Sequence, residues 1–139
     1  TPAQYISGRF EFARPYEWLH AATPPTARLL LLGESRTFYL ERQVIAGGNF
    51  DGPRLAGWLG SFPSGAALHA ELRALGITHV LIRGKGYRVL SPGARPLTLI
   101  EKEQVLEVPM RTDAMLKEML RTEAALRYQD PAYLAFELR

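Results

Sequence analysis

The residues best placed to do chemistry follow a leucine-rich segment near the start of the chain. Residues 28–32 read Arg-Leu-Leu-Leu-Leu, and Gly33, Glu34, Ser35 and Arg36 come directly after them. A short continuous apolar run that ends at a glycine predicts a strand buried on both faces. Because open α/β sheets bind ligands at the carboxyl ends of their strands, Glu34, Ser35 and Arg36 are candidate ligand-binding residues. The alternative is an ordinary polar turn that ends the strand.

A second polar residue between glycines follows the other apolar segment of the chain. Residues 78–83 read Thr-His-Val-Leu-Ile-Arg, which predicts a second buried strand, and Gly84-Lys85-Gly86 comes next. If the two strands are parallel neighbours, we expect Lys85 at the same sheet edge as Glu34 and Arg36, where it could help to bind a nucleotide or a sugar phosphate. The glycines match neither the dinucleotide-binding nor the P-loop spacing, so a simple turn is the alternative.

The other reactive residue types form no catalytic or metal-binding pattern. The chain has no cysteine, which excludes disulfides, cysteine nucleophiles and thiolate zinc sites. No serine lies in a Gly-x-Ser-x-Gly elbow. His20, His69 and His79 lack metal-binding spacing, and we interpret His69 as exposed on a helix and His79 as a buried structural histidine. We therefore expect no catalytic residue, no metal and no cofactor in this chain.

The charged residues are scattered along the sequence. The formal net charge is +3, and no block of five or more like charges occurs. Arginines alternate with aromatic residues only around Arg36, Phe38, Tyr39 and Arg42, which is too short a stretch to predict a nucleic-acid surface. The carboxylates within residues 101–107 indicate a solvated face. We expect no nucleic-acid partner.

The elements that must position these residues follow from hydrophobic periodicity. The length of 139 residues and the 47% hydrophobic composition predict one domain over residues 1–139. Helices are predicted at residues 14–22, 64–75 and 113–127, with a helical turn at 54–60. Strands or short extended stretches are predicted at residues 28–33, 37–40, 43–46, 78–83, 87–90, 97–100 and 133–138. The last of these strands is expected at a sheet edge.

The order of the signals predicts the fold class. Ser64 is the expected N-cap of its helix, Gly76 ends that helix, and a buried strand follows at once. This succession is the later half of a β-α-β crossover. Thr112 or Asp113 is expected to cap the last helix. We predict an α/β fold with a small mixed, partly parallel sheet and helices packed on it, a Rossmann-like sandwich.

Several segments, taken in order, resemble one protein family. They are Tyr-Ile-Ser-Gly-Arg at residues 5–9, Tyr-Glu-Trp-Leu at 16–19, the stretch 25–34, Phe-Tyr-Leu at 38–40, the stretch 72–82, Tyr-Gln-Asp at 128–130 and Ala-Phe-Glu-Leu at 135–138. The succession resembles the C-terminal extramembrane region of bacterial polytopic glycosyltransferases of the C superfamily, which includes the protein mannosyltransferases and the aminoarabinose transferases. The resemblance covers residues 5–138, and the stretch 72–81 is its most specific part.

The resemblance implies a parent protein that transfers a sugar from a lipid-linked donor at the extracytoplasmic face of the bacterial cytoplasmic membrane. The catalytic acidic residues of that family lie near its N-terminal membrane helices, so none is carried over to this chain. The chain would be a non-catalytic accessory domain whose partner is the membrane part of the same polypeptide, and it could touch the membrane surface. Residues 101–111 depart from the family's pattern, which leaves any acceptor-specific role there unassigned.

Two other functions stay open at the level of sequence. The chain could be a stand-alone α/β domain that binds a small ligand, a nucleotide or a sugar phosphate, through residues 33–36 and 84–86. It could also be a protein–protein or oligomerisation module that pairs edge to edge through residues 133–138. The sequence does not determine the oligomeric state.

Overall fold

The structure, a computed structural model, describes residues 11–34, 40–45 and 52–139. Its strands are β1 (Arg28–Leu32), β2 (Gln43–Ile45), β3 (His79–Arg83), β4 (Tyr87–Leu90), β5 (Leu106–Pro109), β6 (Ala124–Gln129) and β7 (Tyr133–Leu138). Five of them form the main sheet in the order β2-β1-β3-β7-β6, and β4 and β5 form a small parallel sheet. In the main sheet β1 is parallel to β2 and β3, whereas β7 is antiparallel to β3 and β6. The predicted mixed, partly parallel α/β fold is therefore confirmed.

Helices pack on both faces of the main sheet. The helices in the described part of the chain are α1 (Ala13–Ala22), α2 (Gly52–Gly60), α3 (Gly65–Ala74), α4 (Leu99–Gln104) and α5 (Met110–Glu123), and a 3-10 turn covers Gly84–Gly86. Side chains of α2, α3 and α5 share one core cluster with the sheet. Side chains of α1 share a second cluster with the opposite face. The sheet is thus the middle of three layers.

The first strand is buried on both faces, as its run of leucines predicts. Leu30 and Leu32 belong to the cluster under α2, α3 and α5. Leu29 and Leu31 belong to the cluster under α1, which also contains Tyr16. All four leucines are at most 1% exposed. Because successive strand residues point to opposite faces, one continuous apolar run supplies both cores.

The two buried strands predicted from sequence are parallel neighbours. In the β1–β3 pair, Leu30 lies opposite Val80 and Leu32 lies opposite Ile82. The Thr78 amide donates to the Arg28 carbonyl at 2.9 Å, which joins the amino-terminal end of β3 to that of β1. The carboxyl ends of both strands therefore meet at one edge of the sheet.

The helix before β3 begins and ends as predicted. The Ser64 hydroxyl accepts a hydrogen bond from the Ala67 amide at 3.1 Å, so Ser64 is the N-cap of α3. Gly76 has a φ of +77°, and the Ile77 amide donates to the Leu72 carbonyl at 2.9 Å. This left-handed glycine closes the helix and turns the chain directly into β3.

The final strand does not lie at a sheet edge, which corrects the prediction for residues 133–138. β7 lies between β3 and β6 and makes antiparallel pairs with both. The alternation of side chains in residues 133–138 does not indicate how many strands pair with this one. Because both sides of the strand are paired within the chain, edge-to-edge association through residues 133–138 is excluded for this fold.

The last helix is shorter at its end than predicted. α5 begins at Met110, and Thr112 and Asp113 are buried within its first turn rather than capping it. Residues 124–127, predicted as helix, belong to β6. Alanine, leucine and arginine are strong helix formers, but the preference amounts to less than about 1 kcal/mol per residue, and the antiparallel pairing with β7 overrides it.

Residues 97–100 do not form a strand, which corrects a second prediction. α4 begins at Leu99, and the Thr98 hydroxyl accepts from the Glu101 amide at 3.2 Å. The Glu101 carboxylate accepts in return from the Thr98 amide at 3.2 Å, which completes a capping box. Of the other short predicted stretches, residues 43–45 form β2, and residues 37–39 lie outside the described residues.

Candidate functional site

Two glycines, Gly33 after β1 and Gly86 after β3, are in close backbone contact beyond the carboxyl ends of these strands. Gly33 has a φ of +80°, and a Cβ added to Gly86 would lie only 2.7 Å from the Gly33 carbonyl carbon. No side chain fits between the two turns at this distance. The turn that carries Lys85 thus lies against the turn that carries Glu34, at the shared sheet edge that sequence analysis predicts. Ser35 and Arg36 lie outside the described residues.

The two candidate residues that are described differ in their surroundings. Glu34 is only 6% exposed, and its carboxylate accepts a short hydrogen bond from the Tyr133 hydroxyl of β7. Lys85 is exposed to solvent. Glu34 therefore ties the end of β1 to β7, while Lys85 points its charge away from the core. The geometry brings the two turns together without making one chemical cluster of their side chains.

A concave site lies at the same end of the sheet, on the face covered by α5. The cavity has a volume of about 430 Å³. Three strands and one helix supply its apolar walls: Leu32 of β1, Ile82 of β3, Leu134 and Phe136 of β7, and Leu116 and Leu120 of α5. This volume falls within the range of small-molecule sites, roughly 300–1,000 Å³.

The polar groups inside this cavity bind one another. The Tyr87 hydroxyl donates to Asp113 Oδ1 at 2.7 Å, and Lys117 Nζ lies 2.9 Å from Asp113 Oδ2. Burial, and secondly the hydrogen bond to the Asp113 carboxylate, raise the pKa of Tyr87 above its ordinary value. Tyr87 therefore stays a protonated donor, and Asp113 stays engaged on both oxygens.

Two cationic side chains mark the mouth of the cavity. Lys117 and Arg121 are four residues apart on α5 and line the cavity together. The Lys117 side chain is 74% exposed, and Arg121 is exposed as well. Among the described residues, Arg121 makes no ion pair within 4.0 Å. The mouth is therefore cationic, whereas the walls are apolar.

The cavity was not predicted from the sequence. Leu116 and Leu120 lie on the helix predicted at residues 113–127, but the opposite walls come from strands β1, β3 and β7. The one local signal is the spacing of Asp113, Lys117 and Arg121 at steps of four beside the leucines. That spacing is also typical of a solvated helix face, so only the packing of distant segments reveals the site.

The buried histidine has a structural role, as predicted. His79 is 5% exposed, and its Nδ1 lies 2.8 Å from the Thr78 hydroxyl. Burial lowers the pKa of His79, and the Glu137 carboxylate at 3.7 Å partly opposes this effect. His69 was predicted to be exposed but is half-buried, because its Nε2 lies 2.7 Å from the Arg139 carbonyl at the end of the chain.

Four large aliphatic side chains are exposed around the small sheet. The exposed fractions are 48% for Leu90, 81% for Leu99, 69% for Ile100 and 57% for Met110. β4 and β5 are parallel with Leu90 opposite Pro109, so Leu90 and Met110 lie at the same end of the small sheet. Leu99 and Ile100 begin α4, the helix that connects the two strands. We call these four residues the aliphatic patch.

No known family model matches this chain, and no curated protein matches it either. In the described ranges, no helix is both long enough and apolar enough to cross a bilayer. Within the same ranges, no three histidine or acidic side chains are grouped so that they could hold a metal ion. The family resemblance therefore rests on the sequence segments alone.

Proposed function

We propose that this chain is a membrane-facing, non-catalytic accessory domain of a membrane protein that transfers sugars from a lipid-linked donor. The observation that carries the proposal is the aliphatic patch, because four large aliphatic side chains exposed on a small sheet and its connecting helix are costly in water. The order of segments that resembles glycosyltransferases of the C superfamily supplies the identity of the parent protein.

The aliphatic patch favours a lipid surface as its occupant. Leu99 and Ile100 are adjacent in the first turn of α4, so both can enter the outer region of a bilayer together. Lys102 follows on the same helix and Arg111 follows Met110, and both side chains are exposed. Cations beside apolar side chains suit a membrane that contains anionic headgroups, and the net charge of +3 favours the same surface.

The contacts of the acidic side chains support an accessory rather than a catalytic role. Glu34 accepts a hydrogen bond from Tyr133. Asp113 accepts one from Tyr87 and forms an ion pair with Lys117. Asp130 Oδ1 accepts from the amides of Ala132 and Tyr133, both at 2.7 Å. Glu34 and Asp113 each fasten one element of the fold to another, and Asp130 stabilises the turn between β6 and β7, which is what a scaffold requires.

Vesicle binding tests the membrane-facing surface. The chain should co-sediment with phosphatidylcholine vesicles that contain phosphatidylglycerol, and less strongly with phosphatidylcholine alone. The double variant Leu99→Ser/Ile100→Ser should weaken binding by about tenfold or more, because two aliphatic side chains no longer leave water. The matched control is Leu126→Ser on the edge strand β6, where the leucine is 47% exposed. Equal loss in both variants, or no loss in the double variant, would overturn the membrane-facing role.

The parent protein is tested separately. The sequence encoded upstream of Thr1 should contain many hydrophobic spans, and removal of residues 1–139 from that full-length protein should impair sugar transfer while the upstream catalytic carboxylates remain present. An upstream sequence without such spans would refute the glycosyltransferase assignment, whatever the outcome of the vesicle experiment.

A further inference from the structure

We propose that the cavity between the main sheet and α5 binds a single-chain amphiphile with an anionic headgroup. The apolar chain occupies the cavity, and the headgroup lies at Lys117 and Arg121. The site shares no residue with the aliphatic patch, so this proposal and the proposed function can fail independently.

The walls of the cavity favour a ligand whose buried part is apolar. The six aliphatic and aromatic side chains that form them come from β1, β3, β7 and α5. Apart from the two cations at the mouth, the polar side chains of the cavity already bind one another, since the Tyr87 hydroxyl donates to Asp113 and Asp113 also binds Lys117. A sugar ring or a nucleobase would bury hydroxyl and amide groups against these walls without hydrogen-bond partners, which is costly. A hydrocarbon chain has no polar group that would be left without a hydrogen-bond partner there.

The mouth of the cavity selects an anion. Asp113 neutralises one of the two cations there, so Asp113, Lys117 and Arg121 together leave one positive charge. Within the described residues Arg121 makes no ion pair, and its planar guanidinium can bind two oxygens of a carboxylate or a phosphate at once. Lys117 can add a hydrogen bond, because an ammonium has three donors and only one points at Asp113.

The position in the fold agrees with this assignment. Leu32 and Ile82 end the two parallel strands, and Gly84 begins the turn that follows β3 at the cavity. Ligands of open α/β sheets bind outside the carboxyl ends of parallel strands. Here that edge offers an apolar space with two cations at its mouth, which matches the polarity of an amphiphile.

A homologous ligand series tests the apolar half of the proposal. Calorimetric titration of the chain with decyl, dodecyl and tetradecyl phosphate, each below its micellar concentration, should show affinity that rises roughly tenfold for every two methylenes until the cavity is filled. The matching alkyl carboxylates form a second arm, which separates a phosphate lipid from a fatty acid as the natural source. Affinity that is independent of chain length would overturn the proposal.

Charge variants test the headgroup. Arg121→Gln should weaken binding of dodecyl phosphate by about tenfold and leave dodecanol unchanged, since a charge-assisted hydrogen bond contributes only with the anion. Arg127→Gln, an exposed arginine of β6, is the matched control and should change neither. Equal binding of dodecanol and dodecyl phosphate by the unaltered chain would refute the anionic headgroup.

A cavity-filling variant tests the location. Leu134→Trp should abolish binding while circular dichroism shows a folded chain, because the larger side chain occupies the space between β7 and α5. If this variant unfolds, Leu120→Phe serves the same purpose from the helix side. The double variant Leu99→Ser/Ile100→Ser should bind the amphiphile as the unaltered chain does. A folded, filled variant that still binds, or loss of binding on removal of the patch, would overturn the assignment to this cavity.

Discussion

At the scale of the residue, two glycines determine how the strand ends fit together. Gly33 has a positive φ, which residues with a Cβ adopt at a cost. Gly86 approaches so closely that a Cβ would contact the backbone of Gly33. Both residues are therefore required by close backbone contact, whereas sequence analysis could interpret the second only as a turn glycine.

Substitution of Gly86 tests this contact. We expect Gly86→Ala to lower the free energy of unfolding by about 1–3 kcal/mol, because the added methyl group has no space beside Gly33. Gly57→Ala is the matched control, since nothing lies within 4 Å of a Cβ at Gly57 in α2. Alanine is the better helix former there and should stabilise the chain by roughly 0.5–1 kcal/mol. Urea denaturation measures both, and the same sign for both variants would contradict the contact.

At the scale of the element, the start of α4 depends on a small network of charges and caps. Arg95 donates two hydrogen bonds to the Glu101 carboxylate, at 2.9 and 2.8 Å. Thr98 and Glu101 form the capping box described above. The Thr-x-x-Glu spacing was present in the sequence, and sequence analysis overlooked it because Leu97 to Ile100 also fit a short extended stretch.

The ionisation of Glu101 reports on this network. The hydrogen bonds from Arg95, and then those from Thr98, lower the pKa of Glu101 to about 2 from the ordinary 4.5. Because the folded pKa lies below the unfolded one, the resulting stabilisation is complete above about pH 4.5 and is lost as the pH falls toward 2. Carboxyl titration by NMR should show the low pKa, and Arg95→Ala should raise it. Arg111→Ala is the control, and equal values in both variants would contradict the assignment.

At the scale of the whole molecule, the core strands are those with neighbours on both sides. β1, β3 and β7 are interior strands of the main sheet, and β2 and β6 lie at its edges. β1 and β3 read as continuous apolar runs, so their burial was predicted from the sequence. The interior position of β7 was not, because β6 was mistaken for the end of a helix.

Hydrogen exchange distinguishes interior from edge strands. The amides of Leu81 in β3 and Ala135 in β7 should exchange only through global unfolding, since both residues are fully buried. The amides of β6 should include faster exchange through local opening at the unpaired edge. NMR exchange rates, compared with the free energy of unfolding from denaturation, measure the difference. Equally slow exchange throughout β6 would contradict its position at the edge.

The sequence alone determined the local features of this protein. The leucine run predicted β1, Ser64 and Gly76 predicted both ends of α3, and together they predicted an α/β fold with two adjacent parallel strands. These signals are local, because burial on two faces, caps and left-handed glycines depend on residues close in the chain.

Only the tertiary structure decided the features that join distant segments. The interior place of β7 depends on pairing with β6, and this pairing overrides the helical preference of residues 124–127. The cavity depends on side chains from residue 32 to residue 136 meeting around α5. Such contacts carry no signature in any single segment, because the same leucines that line the cavity would look identical if they filled a closed core.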